Sequence, residues 1–105
     1  AYKNYFLDFY EKQPENVQTK IEWTLNLIQV TQYIPEKYFK HLEGTNGLYE
    51  IRVEVGRNIY RIFSFFDKGN LVVLGNAFHK KSQKTPKQEL EKALKIMEEY
   101  QNENK

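Results

Sequence analysis

The 105 residues contain no cysteine. Disulfides, thiolate nucleophiles and cysteine-ligated metals are therefore excluded, and packing alone must hold the fold together. No apolar run approaches the roughly 20 residues that a membrane helix requires, and no stretch is built like a signal peptide. A soluble, cytoplasmic protein is expected. The chain begins at Ala1 instead of a methionine, which leaves a longer natural N-terminus open. Three prolines and five glycines give few breaks, with no repeat, low-complexity tract or linker, so residues 1–105 read as a single domain. There is no Gly-x-x-x-x-Gly-Lys loop for a nucleotide. The two histidines, His41 and His79, lie far apart without a cluster of acids, so no metal and no cofactor are expected. Ser64 sits in an apolar stretch without evident His and Asp partners, which argues against a nucleophilic triad.

What is abundant is aromatic surface and unevenly placed charge. Eight Tyr and seven Phe suit a packed globular core, and the formal charge is only +2. Residues 48–87, however, carry eight Lys and Arg against three acids, a net +5, which leaves −3 for the rest. All three arginines, Arg52, Arg57 and Arg61, fall within ten residues. The stretch "NAFHKKSQKTPKQEL" then adds His79, Lys80, Lys81, Lys84 and Lys87 before its first acid, Glu89. Such a distribution suits either a solvated face or an anionic partner.

The apolar spacing separates helices from strands. "YKNYFLDFYEKQ" reads as a short strand or turn followed by a short helix. Val17, Ile21, Leu25 and Ile28 recur at helical spacing from Pro14 to about Thr31, with Trp23, Leu27 and Val30 widening the apolar surface. Pro35 and the glycines around Thr45 mark a loop region. After Gly47 the period changes to two: "LYEIRVEV" alternates, "NIYRIFSFF" is apolar on both faces as in a central strand, "DKGN" is a turn and "LVVLGNAF" a third strand. Thr85, Pro86 and Gln88 mark the start of a last helix, whose buried stripe is Leu90, Ala93, Leu94, Met97 and Tyr100. The fold class is therefore α+β: one antiparallel sheet of three to four strands with N-terminal helices packed on one face and a closing C-terminal helix.

A two-residue turn at Gly56-Arg57, with glycine at its first position, would pair Val55 with Asn58 and set Arg52 opposite Arg61. Like charges placed opposite each other destabilise a sheet. Glu50 and Glu54, the diagonal neighbours of Arg61, would offset them in a purely structural network. In a functional reading, the two guanidiniums instead clamp a phosphate.

In order and spacing these pieces resemble the toxins of the RelE/ParE superfamily, most closely its phage-like HigB branch. The matching residues are Leu42 with Gly44, Gly47 to Arg52, Tyr60 to Ile62, and Phe78 to Pro86; the likeness spans about residues 5 to 100. The resemblance implies a curved antiparallel sheet with a basic groove, in the toxin of a type II toxin–antitoxin pair. It further implies metal-independent cleavage of messenger RNA in the ribosomal A site, through attack by the ribose 2′-hydroxyl on the adjacent phosphate. Carried onto this chain, Arg52 and Arg61 become the phosphate clamp, His79 or Lys81 the acid or base, and Lys80, Lys84 and Lys87 the RNA-backbone contacts. The implied partners are messenger RNA on the ribosome and a cognate antitoxin that is a small DNA-binding protein. Many RNA-cutting relatives use a late tyrosine or histidine. Here Tyr100 falls in the buried stripe, and His79 would serve in its stead. The alternatives are a ParE-like inhibitor of DNA gyrase and a non-catalytic relative that binds only antitoxin or RNA.

Overall fold

A computed structural model describes residues 5–73, 78–80 and 87–103, with residues 5 and 78–80 described by backbone alone. Two helices, α1 (Tyr5–Glu11) and α2 (Glu15–Val30), precede a sheet of β1 (Phe39–His41), β2 (Leu48–Val55), β3 (Asn58–Asp67), β4 (Asn70–Val73) and β5 (Phe78–Lys80). The chain closes with α3 (Lys87–Glu103). All pairings are antiparallel, and β3 is central, with β2 along one edge and both β4 and β5 along the other. The expected α+β fold is thus observed. Among the described residues no helix is long and apolar enough to cross a membrane.

The alternation in β2 and β3 sorts the sheet into two unlike faces. Ile51, Val53 and Ile62 point to one face, where Val17, Ile21 and Ile28 of α2 and the aromatic rings of α1 complete a core. Leu48, Phe63 and Phe65 point to the other, where they pack against Ala93, Ile96 and Met97 of α3. The N-terminal helices and α3 therefore cover opposite faces. Helix α3 covers only the Leu48–Phe65 end of its face; Arg52, Glu54 and Arg61 share that face beyond it.

Two helix details refine the expectations. Pro14 is the N-cap of α2 and not its first helical residue; its carbonyl accepts from the amides of Val17 and Gln18 at 3.0 Å each. Within α2 the buried row is Val17, Ile21, Thr24 and Ile28. Trp23 and Val30, at 46% and 71% exposure, lie outside it. At 100° per residue, Trp23 stands about 200° from Ile21 and points away from the sheet. Thr24 is tolerated in the core because its hydroxyl donates to the Lys20 carbonyl at 2.8 Å. In α3 the expected stripe packs against the sheet, with Ile96 added to it. Thr85 and Pro86, the expected helix start, lie outside the described residues.

The third strand differs most from its reading as one run. β4 pairs with Ser64–Asp67 and β5 with Ile59–Arg61, so four residues, 74–77, separate two segments opposite only Ile62 and Phe63 of β3. A three-residue β1 also extends the sheet at the other edge, in the segment read as a loop region. Tight turns fix the remaining registers. Gly56 has φ +60 while Arg57 keeps a negative φ, the combination of a type II′ hairpin. In the Asp67–Asn70 turn Lys68 is itself left-handed, at φ 52, beside Gly69 at φ 84. A left-handed conformation costs a side chain such as lysine about 1 kcal/mol, which asparagine partly avoids. Lys68→Asn should accordingly raise stability by about 0.5–1 kcal/mol, read as a higher urea midpoint at unchanged slope.

A candidate phosphate site on the sheet

The two-residue hairpin sets the site. From the Val55–Asn58 closing pair, the register counts back to place Arg52 directly opposite Arg61, as the sequence indicated. Glu50, one step further along the same face, lies between them in charge. Its Oε1 accepts from Arg61 Nη1 at 3.0 Å and from Arg52 Nε at 3.2 Å. The like-charge conflict is thereby resolved by a carboxylate that is fully buried, at 0% exposure, and so is not part of a solvated surface network.

The two arginines differ in access. Arg61 is 6% exposed, whereas a quarter of the Arg52 side chain meets solvent. Burial lowers the Arg61 pKa from its ordinary value, Glu50 raises it back, nearby Arg52 lowers it again, and Glu54 opposes that. Arginine remains charged at neutral pH regardless. Among the described residues no acceptor reaches the buried Arg61 Nε. This trio can present charge through Arg52 at the surface, while Arg61 and Glu50 hold that charge in place from below.

The remaining candidates fall into three groups. Lys80 is the register partner of Ile59, and Phe78 that of Arg61, so both stand in phase with the arginine row. His79 is the partner of Tyr60 and is out of phase with that row. Lys81 and Lys84 lie outside the described residues. Lys87 opens α3 and is exposed, with Glu91 at 3.8 Å in a pair that contributes little. Arg57 is exposed in the hairpin turn, and His41 is exposed, its ring edge-on to Tyr49 at 5.2 Å.

Tyr100 is withdrawn from the site, as its spacing indicated. Its ring meets Phe65 edge-on at 5.1 Å, and its hydroxyl donates to Asp67 Oδ2 at 2.7 Å. That hydrogen bond, with burial, pushes the phenol pKa up. Asp67 is six residues along β3 from Arg61, roughly 20 Å at strand rise. Among the described residues no group of three or more His, Asp or Glu stands close enough to hold a metal ion.

Sequence reasoning missed two lysines near Arg52. A cavity of about 280 Å³ is lined by Lys20, Lys37, Tyr38, Arg52, Glu54 and Gly56. The signal was faint: Lys20 and Trp23 sit three apart on α2, a spacing at which side chains touch. Lys37, in the segment before β1, had no pattern pointing to it.

A family model described as Phage derived protein Gp49-like (DUF891) matches residues 8–98, which is most of the chain. No curated protein and no solved structure matches.

Proposed function

Since the chain belongs to the Gp49-like family of phage-derived proteins, a RelE-like toxin family, we propose that it is the toxin of a type II toxin–antitoxin pair that cleaves messenger RNA at the ribosomal A site. The observation that carries this reading is the cross-strand pair Arg52 and Arg61, tied together by buried Glu50. A buried ionic trio is a poor way to gain stability, because desolvation offsets much of its attraction. It is a good way to fix a cation in advance at a place where negative charge will develop.

In the proposed reaction the 2′-oxygen attacks the adjacent phosphorus while a base takes its proton. The 5′-oxygen then leaves with a proton from an acid, and the upstream fragment ends in a 2′,3′-cyclic phosphate. Arg52 contacts the phosphate through its fork of N–H donors, and Arg61 with Glu50 positions it. The acid and base roles fall to His79 and Lys81. For a lysine to act as base, its cationic neighbours would have to lower its pKa. Lys80, Lys84 and Lys87 hold RNA backbone. The neutralising partner in the cell is an antitoxin, a small DNA-binding protein.

One observation favours a second reading. Glu50 offsets one of the two arginine charges, and Arg61 is nearly closed to solvent, which suits a toxin that acts by binding, such as a gyrase inhibitor. Mapping messenger RNA ends after adding purified protein to programmed ribosomes, with free RNA alongside, separates the two. New ends in the A site are expected. Intact message on the ribosome would transfer the activity to gyrase binding, to be read as chromosome damage in arrested cells.

A further inference from the structure

We propose that the open edge of β2 beside α2 is a nucleotide subsite for single-stranded RNA, joined to the arginine row through Arg52. The proposal rests on the RNA reading above and extends it to residues of α2 and of the segment before β1. β1 pairs with β2 over Tyr49–Ile51, and one further bond runs from the Arg52 amide to the Tyr38 carbonyl at 2.8 Å. Beyond that point no described strand covers this edge, and the cavity of about 280 Å³ opens there.

Its walls carry three cations, Lys20, Lys37 and Arg52, against one acid, Glu54. Both ammonium groups lie over aromatic rings: Lys20 Nζ is 4.0 Å from the Trp23 centroid and Lys37 Nζ 4.9 Å from that of Tyr38. The two rings meet edge-on at 5.6 Å. A cation held by a ring is positioned without being neutralised, unlike a cation in an ion pair, so its charge remains available to an anion. A second cavity of about 390 Å³ shares Lys20 and Glu54 with the first and adds Asn16, Thr19, Trp23 and Val55. Trp23, the only tryptophan, is 46% exposed there.

A cationic compartment adjoining one with an exposed indole, an amide and a hydroxyl matches the two halves of a nucleotide. The phosphate would meet the lysines and Arg52, and the base would contact the indole. An acidic peptide would use the cations but has no need of the aromatic half. Since Arg52 lines this cavity and also bonds Glu50, the subsite would hold a nucleotide neighbouring the phosphate on the arginine row.

The test is binding of a short 2′-O-methylated oligonucleotide, which lacks the attacking hydroxyl, followed by Trp23 fluorescence and by anisotropy of a labelled strand. Quenching of Trp23 is expected. Lys20→Gln with Lys37→Gln should weaken binding about tenfold and flatten its dependence on salt, while Lys95→Gln on distant α3 should change neither. Equal affinity of wild type and the double variant would overturn the subsite. So would polyglutamate that quenches Trp23 more strongly than the oligonucleotide, which would assign the surface to an acidic peptide. Quenching by the oligonucleotide with intact ribosomal message would leave the subsite standing and sink the cleavage reading; cleaved message with unaltered affinity in the double variant would do the reverse.

Discussion

Glu50→Ala should cost about 3–5 kcal/mol of stability. The variant leaves Arg61, 6% exposed, without the carboxylate that bonds it at 3.0 Å. Arg52, directly opposite, then repels it without an intervening charge. Against a total stability of about 5–15 kcal/mol, such a loss lowers the melting temperature by roughly 15–30 °C for a domain of this size. Thermal and urea unfolding followed by circular dichroism measure it. Glu54→Ala, at an exposed position of the same face, should stay within about 0.5 kcal/mol of wild type. An unchanged midpoint for Glu50→Ala would mean that Arg61 finds another acceptor. The paired replacement Glu50→Leu with Arg61→Met removes both charges together, and it should recover most of the loss because packed apolar side chains substitute well for a buried ion pair.

Arg52→Ala should reduce message cleavage by about 100-fold while leaving the fold nearly intact. Its side chain is a quarter exposed and its bond to Glu50 runs beside the shorter one from Arg61, so its removal should cost less than about 1 kcal/mol. Single-turnover cleavage on programmed ribosomes reads the first effect and urea unfolding the second. Arg52→Lys should fall between wild type and alanine, because an ammonium keeps the charge but loses the planar fork of donors. Undiminished cleavage by Arg52→Ala would take the phosphate contact away from this residue. Arg61→Ala is the less informative variant. It removes a buried side chain and the 3.0 Å partner of Glu50, so lost activity would be mixed with lost stability.

The elements that were legible in the sequence are those whose signal is local. The alternation from Leu48 to Val55, the Gly56-Arg57 turn and the stripe along α3 each follow from backbone geometry and from which side chains avoid water. Together they were enough to pair Arg52 with Arg61, since a two-residue hairpin leaves no freedom of register. The division of the third strand was not legible, because "LVVLGNAF" has strand character throughout and only pairing with β3 shows where its register shifts. The shift is two residues, which preserves the alternation, so Lys80, and not His79, stays in phase with the arginines. Strand β1 was hidden for a related reason: three residues give too short a pattern to carry a period.

The sequence therefore determined the fold class, the hairpin register and the concentration of positive charge between residues 48 and 87, all consequences of periodicity, turn chemistry and composition. Only the tertiary structure decided what that charge meets. It buried Glu50 between the two arginines, left Arg52 as the accessible member, and brought Lys20 and Lys37 beside it from parts of the chain with no shared pattern. Packing α2 and α3 on opposite faces sets which charged groups lose water and which keep it, and that is a property of the assembled layers, absent from any one segment.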